Sequence, residues 1–351
     1  MINHFIKKLK MATVKSRTAA VVVMILCMTS LNGCGTVKSY SQGGFVMDTV
    51  FYATVYGDSV SPAELIEYGD ALDTRMLSRF WDNTMVSCLN AGLPMDEFEI
   101  DPAGCGVTLD LMDLIDECDR ISADSGGAFD VHLGALCDLW NIDAAAKGEE
   151  EFVLPSKESI EEALSDKSIL DLGAVGKGIY LDLCFKVLEE KNAYGAVISA
   201  GGSVLVYGNK PDGKEFSIGI KDPSGESDSV GTIFADGGYF ISTSGSYERY
   251  AEIDGIIFHH ILNPGTGYPA WYDAKDDAPV PVSVTVIAKS GLVSDALSTA
   301  CFVLGPDDGM GLADKYDAHV IYLMSDGTFI TSHGIMQSDG EKPEFRIEED
   351  A

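Results

Sequence analysis

The chain contains short apolar runs that are joined in pairs by tight turns. Residues 196–199 and 203–206 are two such runs around a Gly-Gly pair, and residues 320–324 and 328–331 flank a Ser-Asp-Gly turn. Connections this short join antiparallel strands, whereas parallel strands need a long crossover. Strands in adjacent pairs, rather than in alternation with helices, predict an α+β fold with largely antiparallel sheets and packed helices.

Helix and strand signals occur along the rest of the chain. Ser61 is followed by a proline and by Glu64, a capping-box pattern that predicts a helix from there to about Leu77. Apolar spacing predicts further helices at 108–123, at 178–191 and from about 292 onwards. Alternating and β-branched residues predict strands at 45–56 and 282–286.

The first 33 residues differ from the rest of the chain. A basic stretch without acidic residues precedes an apolar run at 18–28 that is too short to span a bilayer comfortably. The run leads into Leu31-Asn32-Gly33-Cys34, which resembles a bacterial lipobox. We expect residues 1–33 to be a lipoprotein signal peptide. Cys34 would then be the lipidated first residue of an exported chain, anchored to the outer face of the cytoplasmic membrane or on the periplasmic side. The alternative is an uncleaved anchor helix with an incidental cysteine.

Composition limits the partners and the cysteine chemistry. The chain has 24 Lys+Arg and 55 Asp+Glu, a net charge of −31, and this balance argues against binding nucleic acid by phosphate neutralisation. Beyond the signal and Cys34, the cysteines show no CxxC pair, which disfavours a zinc site. Apolar surroundings favour buried thiols, although the sequence leaves disulfides open. We expect a tether at 34–45, one domain at 46–340 and a frayed acidic tail at 341–351.

Three segments carry residues suited to chemistry, and the first is Asp171-Leu172-Gly173-Ala174-Val175-Gly176-Lys177-Gly178, just before a predicted helix. Its glycines allow close approach of a ligand to the backbone, and a helix N-terminus attracts phosphate. Lys177 adds a positive charge. The pattern is neither a P-loop nor G-x-G-x-x-G, so a plain turn into a helix is the alternative interpretation.

The second segment contains Asp295 and Thr299, four residues apart on a predicted helix and therefore on one face. A carboxylate and a hydroxyl offer only oxygen ligands, which suits Mg²⁺. The alternative to a metal site is that Asp295 is an acidic residue in the first helical turn, where it interacts favourably with the helix dipole, and that Thr299 has no related role.

The third segment is His259-His260-Ile261-Leu262-Asn263-Pro264-Gly265-Thr266-Gly267-Tyr268-Pro269. A histidine beside a rigid turn could act as a general base or as a donor to a phosphate oxygen. A single histidine is more often a structural residue, so this segment alone does not assign a reaction.

Together and in this order, the segments resemble the ApbE family, the FAD:protein FMN transferases. The resemblance covers most of the mature chain and begins at Met47. Its blocks are Met47-Asp48-Thr49, Leu77 to Phe80, Ser125 to Asp130 followed by Leu136 to Trp140, Asp171 to Gly178, Ser199 to Gly202, Ser242 to Arg249, His260 to Pro269 and Ser294 to Gly305.

The resemblance implies an ApbE-like fold and a specific reaction. Family members bind FAD with Mg²⁺, split its pyrophosphate, attach FMN through a phosphoester to a threonine or serine of an acceptor protein, and release AMP. The acceptors belong to membrane electron-transfer complexes, which agrees with an exported, anchored enzyme.

The resemblance also assigns roles to individual residues. By this comparison Asp295, Thr299 and the backbone oxygen of Ala174 are the metal ligands, and His260 is the catalytic histidine. The positions that match FAD contacts in the family are Met47, Ala128, Phe129, Asp130, Asp171, Lys177 and Leu262. Many members of the family have aspartate at the position of Asn263, and some have a second carboxylate at the position of Ser298. The absence of these carboxylates here weakens the case for a second metal ion.

Two alternatives to transfer remain at this stage. An Mg²⁺-dependent FAD pyrophosphatase would use water instead of the acceptor hydroxyl and give FMN and AMP. A lipoprotein that binds flavin without chemistry would release no AMP.

Overall fold

The central element of the fold is one antiparallel sheet. The computed structural model describes residues 37–95, 97–274 and 278–348. The strands are β1 (Ser39–Val46), β2 (Thr49–Tyr56), β3 (Glu99–Ile100), β4 (Leu109–Asp110), β5 (Gly195–Ala200), β6 (Ser203–Gly208), β7 (Phe216–Lys221), β8 (Ser229–Ala235), β9 (Tyr239–Gly245), β10 (Tyr250–Ile253), β11 (Ile256–His259), β12 (Pro281–Ala288), β13 (His319–Met324), β14 (Phe329–Thr331), β15 (Ile335–Gln337) and β16 (Glu344–Ile347). In the described ranges, eight of them form this sheet in the order β1-β2-β5-β6-β9-β12-β13-β14, and every neighbouring pair is antiparallel.

Helices pack against this sheet, as the sequence predicts for an α+β fold. They are α1 (Pro62–Leu72), α2 (Met85–Asn90), α3 (Leu111–Asp124), α4 (Gly134–Trp140), α5 (Ile142–Lys147), α6 (Lys157–Ser165), α7 (Gly176–Glu190), α8 (Gly291–Leu304) and α9 (Pro306–Lys315). The capping box at Ser61 is present, and a π-helical turn extends α1 through Leu77. Both the predicted start and the predicted end of this helix are therefore confirmed.

A second sheet lies beside the central one, in the order β15-β16-β8-β7. An isoleucine-rich cluster joins the two sheets: Ile220 and Ile233 come from the second sheet, and Ile241, Ile287 and Ile321 come from the central sheet. The pair β16–β8 is parallel, whereas β15–β16 and β7–β8 are antiparallel. The prediction of largely antiparallel sheets is confirmed.

The first two strands correct the predicted N-terminal boundary. The sequence predicted a tether at 34–45 and one strand at 45–56, but residues 39–46 and 49–56 form an antiparallel hairpin. Met47 and Asp48 turn the chain with φ of 50° and 57°, the left-handed values of a tight hairpin turn. Such turns usually contain Asn-Gly, Asp-Gly or Gly-Gly, and Met47-Asp48 matches none of these pairs, so the turn has no clear local signal in the sequence.

The predicted signal peptide at 1–33 and the predicted lipidation site Cys34 lie outside the described residues. Within the described ranges, no helix has both the length and the apolar character needed to cross a bilayer.

The end of the described chain also corrects the sequence prediction. Residues 341–351 were expected to fray, but Glu344–Ile347 form β16, which pairs with β8 and β15. Phe345 is fully buried in the isoleucine-rich cluster. The acidic composition of this segment predicted disorder, but burial of Phe345 stabilises β16 between β15 and β8.

The cysteines of the described residues are all free thiols, namely Cys88, Cys105, Cys118, Cys137, Cys184 and Cys301. Cys118, Cys184 and Cys301 are fully buried, and burial raises the pKa of each of these thiols to about 12. The interpretation as buried apolar thiols is therefore confirmed for these three residues.

Helices α7 and α8 cross at two glycines and cap each other. A Cβ on Gly178 would lie 2.1 Å from the carbonyl oxygen of Gly291, so neither position has room for a side chain. Asp182 of α7 accepts hydrogen bonds from the N–H groups of Gly291 (2.7 Å) and Leu292 (2.8 Å) at the start of α8. In return, Asp295 of α8 accepts one from Gly178 N–H at the start of α7 (2.7 Å). Each aspartate thus satisfies first-turn N–H groups that have no partner within their own helix.

Replacing Gly178 by alanine should destabilise the fold by about 1–3 kcal/mol or more, because the new methyl group collides with backbone rather than with a movable side chain. Gly311→Ala in the exposed part of α9 is the control. No atom lies within 4 Å of that Cβ position, so this variant should gain about 0.5–1 kcal/mol. Urea unfolding followed by circular dichroism measures both, and an unchanged midpoint for Gly178→Ala would contradict the close crossing.

Candidate active site

Asp295 is the centre of the candidate site. It is 3% exposed on α8, and both of its carboxylate oxygens are held. Oδ2 accepts the N–H of Gly178, and Oδ1 accepts the hydroxyl of Ser203 at 2.5 Å. Lys177 Nζ lies 3.9 Å from Oδ2. The carboxylate therefore lies at the N-terminus of α7, between Lys177 and Gly178 of that helix and Ser203 at the start of β6.

Thr299 lies one turn further along α8, as the spacing predicts. Its hydroxyl is 3.4 Å from the backbone oxygen of Asp295 and 3.3 Å from Ser244 Oγ. Ser298 donates to the Asp295 carbonyl at 2.9 Å and contacts Ser244 Oγ at 2.8 Å. The hydrogen bonds of the Thr299 hydroxyl are longer than those of the Ser298 hydroxyl, so the Thr299 hydroxyl can rotate towards a ligand more easily.

The turn before α7 and two hairpin turns meet beside Asp295. A Cβ on Gly176 would lie 3.1 Å from Met47 Cε, so the β1–β2 turn contacts the start of α7. Gly201, in the β5–β6 turn, has φ of +57°, and a Cβ there would lie 3.6 Å from Lys177 Cδ. Ala174 is exposed in the turn that leads into α7. The structure thus brings Met47, Lys177 and the glycine turns to one corner.

Asp171 is held by an arginine that the sequence analysis did not select. Arg79 Nε donates to Asp171 Oδ2 at 2.8 Å, and its terminal nitrogens bind Asp138. The other Asp171 oxygen accepts Gly173 N–H at 2.8 Å, which shapes the turn before α7. The Arg79 guanidinium also lies 4.2 Å from the ring centre of the exposed Phe80. Asp171 therefore positions the glycine turn through contacts that connect it to the loop at 78–81.

The predicted FAD contacts at 128–130 lie next to Asp171. The Asp171 N–H donates to the Val131 carbonyl at 2.8 Å, which joins the two segments. Phe129 is 1% exposed and belongs to the main core, so its ring is not available to a ligand. Asp130 accepts Lys167 Nζ at 2.8 Å on one oxygen and His132 N–H at 2.7 Å on the other.

Two adjacent histidines have different surroundings. His259 uses both ring nitrogens, with Nε2 2.7 Å from the Ala270 carbonyl and Nδ1 accepting Ile261 N–H at 3.2 Å. His260 places Nδ1 3.2 Å from the Arg249 carbonyl, a contact in which Nδ1–H is the donor. No described residue forms a hydrogen bond with His260 Nε2, so that nitrogen keeps its lone pair. His259 is therefore structural, and His260 is the histidine suited to accept a proton.

The neutral state of His260 has a physical cause. Burial, followed by the positive charges of Arg249 and Lys177, lowers the pKa of His260 to about 4. A neutral imidazole at physiological pH can act as a base without first losing a proton.

Leu262 and Asn263 shape the segment after His260. Leu262 is 8% exposed, pairs with Pro269 in an isolated bridge and packs in a cluster with Trp140. Asn263 Oδ1 accepts the N–H of Gly265 at 2.8 Å, so this side chain closes the turn. The amide at 263 therefore has a structural role that a carboxylate could also fill.

The residues present are suited to a divalent ion such as Mg²⁺. Two of the about four lone-pair positions of the Asp295 carboxylate are used by Gly178 and Ser203, which leaves others for a ligand. Thr299 adds a second oxygen, and oxygen donors are the type that Mg²⁺ prefers. Within the described residues, no group of three or more His, Cys, Asp or Glu residues could hold a metal. The site therefore suits an ion that keeps several waters or phosphate oxygens.

Some residues of the site have no local sequence signal. Ser203 and Gly178 contact Asp295 across 92 and 117 positions, and Arg79 contacts Asp171 across 92. Arg79 lies within the block Leu77 to Phe80 that matches the family, and this match was the one sequence signal that could have indicated its role. Ser203 follows the Gly-Gly turn, and only the packing of α8 on β6 gives it a partner.

A cavity of about 410 Å³ lies away from Asp295, beside α5 and β10, and its lining includes Ala145, Phe152 and Tyr250. Gly173 and Ala174, in the turn before α7, are exposed to solvent.

Most of the chain is similar to known proteins. The model of the ApbE family matches residues 47–324, a span that includes every predicted site residue except Cys34. A protein of Treponema pallidum (strain Nichols) named FAD:protein FMN transferase is 28% identical over 356 residues, covering 90% of this chain and 93% of that protein.

Solved structures show the same fold. The ApbE protein of Thermotoga maritima gives a TM-score of 0.68 at 28% identity and covers 84% of this chain and 97% of its own. The flavinyl transferase ApbE of Pseudomonas stutzeri gives a TM-score of 0.66 at 27% identity, with 86% and 96% coverage. The expected ApbE-like fold is confirmed.

The His260 imidazole should titrate well below the ordinary histidine value of 6.5, with a midpoint near pH 4. NMR titration of the ring protons measures this midpoint, and the spectrum of His260→Gln assigns the resonance. The unfolded chain takes up this proton at higher pH than the native chain, so His260 should make stability rise with pH between about 4 and 6.5. A midpoint at or above 6.5 would contradict the buried, neutral state.

Proposed function

This chain belongs to the ApbE family, and we propose that it is an Mg²⁺-dependent FAD:protein FMN transferase. The proposed reaction attaches FMN from FAD to a threonine or serine hydroxyl of an acceptor protein and releases AMP. The main support is the corner at the start of α7, where Asp295, Lys177 and glycine turns lie together. Relatives named FAD:protein FMN transferase, one of them matched over 90% of this chain, support the same reaction.

The reaction is a displacement at the phosphorus atom on the FMN side of the FAD pyrophosphate. The acceptor hydroxyl oxygen forms the new phosphoester bond, and the bond between this phosphorus and the bridging oxygen breaks. AMP leaves with the bond electrons, and the hydroxyl proton must be accepted by a base. No oxidant or reductant is needed, because the flavin keeps its oxidation state.

Asp295, Thr299 and the Ala174 carbonyl would hold the divalent ion. When bound, Mg²⁺ neutralises negative charge on the pyrophosphate oxygens. Lys177 adds a positive charge at the same corner, 3.9 Å from Asp295 Oδ2. The N-terminus of α7 and the glycine turns offer backbone N–H groups and allow close approach of a phosphate. This local positive character is needed because the chain as a whole has a net charge of −31.

His260 would accept the proton of the attacking hydroxyl. A threonine or serine hydroxyl is a weak nucleophile at neutral pH, so proton removal in the transition state accelerates attack. The Nδ1 contact to the Arg249 carbonyl fixes the tautomer in which Nε2 carries the lone pair. His260 therefore affects the rate of transfer more than the binding of FAD.

We extend the proposal to location and acceptor. Lipidation at Cys34 after removal of residues 1–33 would anchor the enzyme at the outer face of the cytoplasmic membrane or on the periplasmic side. An acceptor in a membrane electron-transfer complex would present its threonine or serine on the same side. The support is the basic, apolar and Leu-Asn-Gly-Cys order of the first 34 residues.

Intact-mass analysis tests the reaction directly. A candidate acceptor incubated with this protein, FAD and Mg²⁺ should gain the mass of one FMN phosphoester, and Asp295→Ala should abolish that gain. Asp308→Asn, at an exposed position of α9, is the matched control and should transfer FMN at the wild-type rate. Rapid release of FMN and AMP from FAD and Mg²⁺ without acceptor would instead identify a pyrophosphatase. Tight FAD binding without any AMP would identify a flavin-binding protein.

His260→Ala should lower kcat for transfer by about 10²–10⁴-fold, the usual contribution of a general base, with little change in the Kd for FAD. Single-turnover kinetics and flavin fluorescence separate the two quantities. His333→Ala, which removes an exposed histidine, should leave both unchanged. Transfer by His260→Ala at the wild-type rate would remove His260 from the mechanism.

A further inference from the structure

Ser203 holds one oxygen of the Asp295 carboxylate from inside the fold. It is the first residue of β6 and is 1% exposed. Its hydroxyl donates to Asp295 Oδ1 at 2.5 Å, and Gly178 N–H donates to Oδ2 at 2.7 Å. The carboxylate is thus fixed by one donor on each oxygen, and the two donors belong to β6 and α7.

We infer that Ser203 is a positioning residue that sets the affinity of the site for its divalent ion, an inference that rests on the proposed function. Two donors on opposite oxygens prevent rotation of the carboxylate, so its free lone pairs keep fixed directions. Hydrogen-bond partners of a metal-binding carboxylate orient it and typically change metal affinity when removed. Ser203 acts through Asp295 and need not contact FAD or the reacting phosphorus.

The contact at Gly178 cannot replace the one at Ser203. With only Gly178 N–H as donor, the Asp295 carboxylate can turn about that single hydrogen bond. Lys177 Nζ lies 3.9 Å from Oδ2, the oxygen already held by Gly178, and leaves Oδ1 without a second donor. Loss of the Ser203 hydroxyl therefore frees the oxygen that no other described donor restrains.

The neighbouring strand provides a matched comparison. Ser242 on β9 lies directly opposite Ser203 and is also 1% exposed. Residues directly opposite in an antiparallel pair have their side chains on the same face of the sheet. Ser242 Oγ is nevertheless buried without a hydrogen-bond partner among the described residues. Removing this hydroxyl breaks no hydrogen bond, whereas removing that of Ser203 releases Asp295 Oδ1.

Isothermal titration of the purified chain with Mg²⁺ alone, without FAD, tests the inference. Ser203→Ala should raise the Kd for Mg²⁺ by about 10–100-fold, the usual effect of losing such a partner. Ser203→Thr keeps the hydroxyl and should restore most of the affinity, and Ser242→Ala should match the wild type. In transfer assays, Ser203→Ala should need more Mg²⁺ but approach the wild-type kcat at saturating Mg²⁺.

Ser203→Cys, which keeps a weak donor, should give an intermediate Kd and replaces Ser203→Ala if that variant does not fold. A wild-type Kd for the variant without a hydroxyl, or an equal loss in Ser242→Ala, would overturn the inference while leaving the proposed function intact. If the wild-type chain itself binds no Mg²⁺ and transfers FMN without it, the metal-dependent function fails together with the inference.

Discussion

Two helix N-termini that meet at a pair of glycines fix the geometry of this protein's candidate site. At Gly178 and Gly291 the backbones of α7 and α8 approach so closely that no Cβ fits between them. The first turns of both helices then lie within reach of an aspartate on the other helix, Asp182 in one direction and Asp295 in the other. Asp182 accepts three hydrogen bonds at the start of α8, from the hydroxyl of Ser290 and the N–H groups of Gly291 and Leu292. Among the described residues, Asp295 accepts only two, from Gly178 N–H and the Ser203 hydroxyl, and so keeps lone pairs for a ligand. The carboxylate that caps α7 is therefore also the proposed ligand of the metal ion.

Electrostatics explains why the site lies at this corner. An acidic chain repels an anionic dinucleotide over most of its surface, so binding depends on a local concentration of positive charge and backbone N–H groups. The start of α7, Lys177 and a bound divalent ion would provide this at one place. Burial, together with the positive charges of Arg249 and Lys177, lowers the pKa of His260, so its imidazole stays neutral. The same positive surroundings that favour phosphate thus favour an unprotonated base.

The local features of the fold were predictable because they arise from neighbouring residues. The capping box at Ser61 and the paired strands around the Gly-Gly turn follow from short-range hydrogen bonds and turn geometry. The turn at Met47 and Asp48 was missed because methionine rarely adopts left-handed backbone and no glycine follows Asp48. The strand around Phe345 was missed because its stability comes from a strand more than a hundred positions earlier.

The sequence by itself determined that Asp295 and Thr299 share a helix face, since a separation of four residues is one helical turn. It also placed three glycines and Lys177 at a helix start, and the order of these segments identified the family. Only the tertiary structure decided that Asp295 faces that helix start, that Ser203 restrains it, and that His260 rather than His259 keeps a free nitrogen. These facts depend on contacts between residues such as 203 and 295, which are 92 positions apart. Close packing of distant elements creates such contacts, and no local pattern of residues encodes them.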